Sequence, residues 1–184
     1  MRIIGGVFRG RKLRSSAGSN IRPTADRTRE AIFNILAPRV RGSNVLDLFA
    51  GTGAFGIEAL SRGADSAFFI DRYRESISVL RRNLKAISLE SRSNVLHWNI
   101  ANNLDCLRTH QTPFNLVFLD PPYNKNLIIS TLSNLHNSRS VERGACVVIE
   151  HSRQESVAFD ERIFKQFDQR KYGKTLVSFF NYML

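Results

Sequence analysis

From residue 45 onward, short apolar runs alternate with stretches whose apolar residues recur at helical spacing. Residues 45–48, 66–70, 94–98, 114–119 and 145–150 read as strands, being short, rich in Val, Ile, Leu and Phe, and closed by polar or turn-forming residues. Between the second and third, Tyr73, Ile77, Leu80, Leu84 and Ile87 step by 4, 3, 4 and 3 along one face of a helix. Further helices are expected after residue 56, over 101–109 and near 127–135. Residues 162–169 and 175–182 suggest a closing antiparallel pair. Such alternation builds a mostly parallel sheet of seven strands, with helices on both faces and the last strand antiparallel.

The first 42 residues follow another rule. Ile3-Ile4-Gly5-Gly6 and Phe8-Arg9-Gly10-Arg11-Lys12-Leu13 alternate apolar residues with Gly and Arg, as a short hairpin would, and a Ser/Gly/Asn loop follows at 15–20. Thr24 is placed to cap a helix running to about Ala37, with Ala31, Ile32, Ile35 and Leu36 turned inward and Pro38 as the stop. Gly42-Ser43-Asn44 reads as the hinge between an N-terminal extension, 1–42, and a main domain, 43–184.

Charge sharpens that division. The chain has 184 residues and a formal net charge of +11. Residues 1–42 hold ten basic side chains against Asp26 and Glu30, most of the whole excess. One sign packed into one segment reads as a surface for a phosphate backbone, or for an anionic membrane surface. Arg9, Arg11, Lys12, Arg22, Arg27 and Arg29 are the candidate RNA-binding residues, and Arg27 with Asp26 could instead brace a lid. Cys106 and Cys146 are too few for a disulfide framework, and neither they nor the four scattered histidines have metal spacing, so no metal is assigned. With no apolar leader and no run of membrane-spanning length, a cytoplasmic protein is expected, as a monomer.

The chemistry concentrates at strand ends, where open parallel sheets bind ligands. Gly51-x-Gly53-x-x-Gly56 leaves the first strand and enters a helix, a turn in which bare backbone approaches a ligand; the same spacing serves dinucleotides. Asp47, just ahead of it, would repel a pyrophosphate but suits a cationic ligand, so the loop reads as a site for S-adenosylmethionine (SAM). Asp71 falls 20 residues after Gly51, where a carboxylate can accept from both ribose hydroxyls of either kind of cofactor. Asn99 stands either at an adenine edge or as a turn residue. At the fourth strand end, Asp120-Pro121-Pro122-Tyr123 removes two backbone donors and leaves acceptors beside an aromatic ring. That pocket suits a flat group bearing an NH2. The ring stacks on Tyr123, the amine donates to Asp120 and the Pro121 carbonyl, and its lone pair faces the methyl group.

The glycine loop, Asp71 and Asp-Pro-Pro-Tyr, in this order, resemble the signature of SAM-dependent amino-methyltransferases. Arg2-Ile-Ile-Gly-Gly, Arg9-Gly-Arg-Lys-Leu13 and the stretch from Arg22 to Leu36 narrow the resemblance to the RsmD-type 16S ribosomal RNA guanine-N2 methyltransferases, across almost the whole chain. The resemblance implies a Rossmann-like fold and methylation of the exocyclic amine of one guanine in small-subunit rRNA, on an assembled or partly assembled 30S particle. It implies Asp120, Pro121, Pro122 and Tyr123 as catalytic residues. The cofactor would rest on Asp47, Phe49, Ala50, Gly51, Thr52, Gly53, Asp71, Arg72, Asn99 and Ile100, although the family also uses an acidic residue where Asn99 stands. Rival readings are an amino-methyltransferase acting on adenine N6 or on glutamine, an NAD-dependent oxidoreductase, and an rRNA-binding assembly factor without activity.

Overall fold

Strands whose side chains are apolar on both faces must lie at the centre of a sheet covered on both sides. The computed structural model describes residues 1–15 and 23–184. Its strands are β1 (Asn44–Leu48), β2 (Ser66–Asp71), β3 (Ser93–His97), β4 (Phe114–Leu119), β5 (Val141–Ser152), β6 (Phe164–Tyr172) and β7 (Thr175–Tyr182), in the order β3-β2-β1-β4-β5-β7-β6. β1 to β5 pair in parallel, and β7 runs antiparallel to both β5 and β6. The expected mostly parallel seven-stranded sheet with an antiparallel last strand is the one observed.

The helices are α1 (Pro23–Ile35), α2 (Ala37–Val40), α3 (Ala54–Ser61), α4 (Arg74–Ala86) and α5 (Leu127–Ser138). Side chains alternate across the sheet as strand geometry demands. Val45, Leu116 and Phe118 join Ile32 and Phe33 of α1, Ile57 and Leu60 of α3 and Leu80 and Leu84 of α4 in one core. Leu46, Leu48, Val117 and Leu119 join Ile128, Leu132 and Leu135 of α5 in the other. The chain leaves β1 toward β2 and β3, then returns beside β1 as β4. The carboxyl ends of β1 and β4 therefore flank the switch point where such sheets open a crevice.

Three local expectations are refined. The short N-terminal hairpin is present: Arg2 bridges Lys12 antiparallel, Ile3 N–H donates to the Arg11 carbonyl at 3.0 Å and Leu13 N–H to the Met1 carbonyl at 2.9 Å. It also packs on α3, where Ile4 and Gly5 N–H donate to the Glu58 carboxylate at 2.8 and 2.7 Å, and Val7 N–H to the Ser61 carbonyl at 2.8 Å. Gly6 makes this approach possible, with φ +75° and a carbonyl oxygen 1.8 Å from where a Cβ would stand. Second, Pro38 does not simply stop a helix. α1 ends at Ile35 and Pro38 sits in the first turn of the short α2, where its missing N–H costs nothing.

Third, the helix expected over 101–109 is only a 3₁₀ turn, Asp105–Leu107. Asn99 and Asn103 side chains accept from Ala101 and Asp105 N–H, at 3.3 and 3.1 Å, which favours turns over helix. Ile32 and Leu36 are buried as expected, Phe33 is buried besides, and Ala31 and Ile35 are only partly covered. The expected loop at 15–20 lies, but for Ser15, outside the described residues, as does Arg22.

Candidate active site

The glycine turn is held from below. Asp47, 1% exposed, accepts the Gly56 N–H on Oδ2 at 2.9 Å, tying β1 to the start of α3 beneath the loop. Burial pushes its carboxyl up to about 7; the Gly56 N–H opposes that and Asp71 adds to it. Above it Phe49 takes φ 62°, a left-handed conformation uncommon for a bulky residue. Gly53, at φ 87°, starts α3 where a Cβ would stand 2.3 Å from the Leu80 side chain. Ala50 N–H donates to the Ile70 carbonyl at 3.0 Å and the Thr52 carbonyl accepts from Asn83 Nδ2 at 3.0 Å, so the turn is fixed on both sides.

At the end of β2, Asp71 accepts the Gly51 N–H on Oδ2 and the Tyr73 N–H on Oδ1, both at 2.8 Å. It therefore locks the turn and caps the approach to α4, while its carboxylate still borders a cavity of about 380 Å³. Phe49, Gly51, Arg72, Asp120, Pro121 and Tyr123 also line that cavity. Pro122, Ser76 and Tyr73 complete the wall, although the sequence spacing marks Tyr73 only as part of a helix face; the Arg72 guanidinium lies 4.7 Å over the Tyr73 ring.

Asp120 and Tyr123 are shared with a second, larger cavity of about 800 Å³. Its walls include Met1, Thr28 and Arg29 from the N-terminal segment, Glu150 from β5, and residues 172–175 from the β6–β7 turn. Tyr123 is 42% exposed, and its hydroxyl donates to Glu150 Oε1 at 2.8 Å and meets Thr175 Oγ1 at 3.1 Å. Beyond it, Asn124 N–H donates to Glu155 at 2.9 Å and Ser152 Oγ to Asn124 at 2.9 Å, fastening the Asp-Pro-Pro-Tyr turn to the end of β5.

Asp71, Asp47, Asp120 and Glu150 thus stand at or near the carboxyl ends of four adjacent strands, β2, β1, β4 and β5. None forms an ion pair among the described residues. Burial first, then Glu150 and Asp47, hold the Asp120 carboxyl well above the usual range; burial also raises Glu150, against the Tyr123 hydroxyl. Asp71, Asp120 and Glu150 border the cavities while Asp47 lies buried beneath the turn, so within a chain of net charge +11 this mouth is rich in acceptors. It suits a cation or an amine donor and disfavours a pyrophosphate. A sulfonium with an ammonium group and two ribose hydroxyls fits those acceptors.

Not every expected residue comes to this place. Asn99 is exposed and spends its amide on Ala101 and Asn102, and Ile100 is buried in the core on the α5 side, so neither lines the cavities; nor do Asp47, Ala50, Thr52 and Gly53, which build the turn itself. Arg9, Arg11, Lys12 and Arg27 are exposed, Arg11 lying 5.2 Å over the Phe8 ring. Arg29 corrects the sequence expectation. It is 5% exposed and bonded to Asp26 at 3.1 Å and to the Arg2 carbonyl at 2.6 Å, with Glu58 at 3.8 Å. A guanidinium so enclosed braces the N-terminal segment against α3 and is not free for a surface phosphate. Glu58 and Glu150 went unread because each looks, in sequence, like one more polar residue of a helix or strand. No helix is long and apolar enough to cross a membrane, and no metal-holding cluster occurs among the described residues.

Comparison with known proteins bears on the fold and the family. A family model described as conserved hypothetical protein 95 matches residues 1–181. Ribosomal RNA small subunit methyltransferase D of Escherichia coli (strain K12) is 39% identical over 150 residues, covering 82% of this chain and 74% of that one. YlbH of Bacillus subtilis (strain 168) is 36% identical over 182 residues, covering 98% of each. Among solved structures, yhhF from Escherichia coli superposes with a TM-score of 0.85 at 33% identity, over 100% of this chain and 98% of that one. In fold and in sequence, the chain belongs to this family, that of the RsmD-type methyltransferases.

Proposed function

We propose that the protein transfers a methyl group from SAM to the exocyclic N2 amine of a guanine in 16S rRNA of the small ribosomal subunit. The observation that carries this reading is the position of Asp120 and Tyr123, on the wall common to the two cavities. The smaller cavity, with Asp71, Phe49 and the glycine turn, is the one whose residues fit SAM; the larger, walled partly by the basic N-terminal segment, takes the base. When bound, SAM supplies an electrophilic methyl group on a sulfonium. The chain's own part is to hold and orient the amine. Asp120 and the Pro121 carbonyl accept its two hydrogens, the Tyr123 ring stacks on the base, and the lone pair is left facing the smaller cavity. The surplus proton then leaves through Asp120, whose raised affinity for protons suits it to receive one.

A base in folded RNA must be swung out of its stack to reach this slot, and Tyr123 offsets part of the stacking loss. Arg9, Arg11, Lys12 and Arg27, exposed on the N-terminal segment, are assigned to phosphates that set the register. Arg22 shares that assignment on sequence grounds alone. Relatives named ribosomal RNA small subunit methyltransferase D support rRNA as the substrate class. The test is incubation with labelled SAM and, in parallel, 30S particles, naked 16S rRNA or DNA, followed by nucleoside analysis. Label in N2-methylguanosine is the expected result; label in N6-methyladenosine, or in protein, overturns it.

A further inference from the structure

An amino-methyltransferase pocket built only from an acceptor and a stacking ring would accept adenine N6 as readily as guanine N2, since both present an NH2 on a flat ring. The groups that differ lie one position along the edge. Beside its N2 amine guanine carries N1–H, a donor; beside its N6 amine adenine carries N1 as a bare acceptor. Discrimination therefore needs an acceptor-only side chain next to the one that takes the amine.

Glu150 occupies that place. Leu119 of β4 pairs in parallel register with Ile149 of β5, so the next residues, Asp120 and Glu150, leave neighbouring strands side by side. Adjacent strands lie about 4.8 Å apart, a spacing that two acceptors can bring to bear on neighbouring donors of one ring edge. Both side chains line the larger cavity, but only Asp120 also lines the smaller one. A base whose amine faces the smaller cavity at Asp120 thus carries its next edge atom toward Glu150. The Tyr123 hydroxyl donates to Glu150 Oε1 at 2.8 Å, which leaves the second carboxylate oxygen for the base. Ionised, as the bond from the Tyr123 hydroxyl favours, Glu150 has no proton to give adenine N1, and facing that lone pair would leave its second oxygen without a donor.

Resting on the guanine-N2 reading, we infer that Glu150 is the residue that selects guanine, by accepting N1–H while Asp120 accepts from N2. Thr175, on the other side of the Tyr123 hydroxyl, steadies the ring and has no part in the choice.

The test uses 30S particles rebuilt with 16S rRNA carrying either guanosine or 2-aminopurine riboside at the position that the wild-type protein methylates. 2-Aminopurine keeps the N2 amine but has no hydrogen on N1. Wild-type protein should prefer guanosine by at least about 100-fold in kcat/KM, because a site built to accept a hydrogen bond rejects the analogue lacking it. Glu150→Gln can donate to the bare N1 and should bring the ratio to within about tenfold, chiefly by gaining on 2-aminopurine. Thr175→Val should leave the ratio as in wild type. SAM affinity by calorimetry and thermal melting of Glu150→Gln should match wild type. Equal use of both nucleotides by wild type, or an undiminished preference in Glu150→Gln, overturns the inference. So does a folded, SAM-binding Glu150→Gln protein inactive on both nucleotides, since that would assign Glu150 to the chemistry and not to the choice of base. Failure of the underlying reading is separate: wild-type protein would then place no N2-methyl group in the unmodified particle.

Discussion

Asp47→Asn asks whether the buried acid beneath the glycine turn is kept for a ligand at the expense of the fold. Asp47 is 1% exposed and without an ion pair among the described residues, and its carboxyl titrates near 7 in place of the ordinary 3.8. The sign follows from where each state loses its proton. The unfolded chain ionises near pH 4 and the folded one near 7, so stability falls as pH rises through that window and the whole cost is present above it. A shift of about three pH units corresponds to about 4 kcal/mol at most. The asparagine Oδ1 can still accept the Gly56 N–H, while its new buried NH2 group lacks a partner and takes back about 1–2 kcal/mol. A net gain of about 2 kcal/mol is expected near pH 8, and none or a small loss near pH 4. Urea unfolding of both proteins at the two pH values measures it, and calorimetry at the higher pH should show weaker SAM binding. A variant less stable than its parent near pH 8, or a difference that ignores pH, would refute the reasoning.

Other consequences reach the rest of the molecule. Gly6→Ala puts a Cβ 1.8 Å from the Ser61 carbonyl oxygen at a positive φ and should cost about 2–4 kcal/mol in urea unfolding. Methylation should rise with pH as Asp120 loses its proton, at a pH above the usual carboxylate range; a rate that shows no such rise argues against Asp120 as the amine's acceptor. Charge reversal at Arg9, Arg11 and Lys12, all exposed, should weaken RNA binding and flatten its salt dependence, and an unchanged slope retires that surface.

What the sequence disclosed depended on how local the signal was. The glycine turn, the strand-end acids Asp71 and Asp120, and the Pro-Pro-Tyr that follows are each written within a few residues, and the sheet order brings them to one crevice. Glu150 could not be found this way, because its meaning comes from β5 lying beside β4 in register. Glu58 is similar: it is buried only because the N-terminal loop closes over α3 and needs its carboxylate for two backbone N–H groups. That same closure buries Arg29, which composition alone had counted with the exposed cations. The helix expected at 101–109 failed where asparagine side chains satisfied the backbone locally, a competition that apolar spacing does not register.

The claim most worth testing is that methyl donor and amine meet at the wall shared by the two cavities. A crystal structure with SAM bound measures this directly. It should place the adenosyl group by Asp71 and Phe49 and the transferable methyl at the opening beside Asp120 and Tyr123. SAM lodged wholly in the larger cavity, or a methyl group turned away from Asp120, would contradict it.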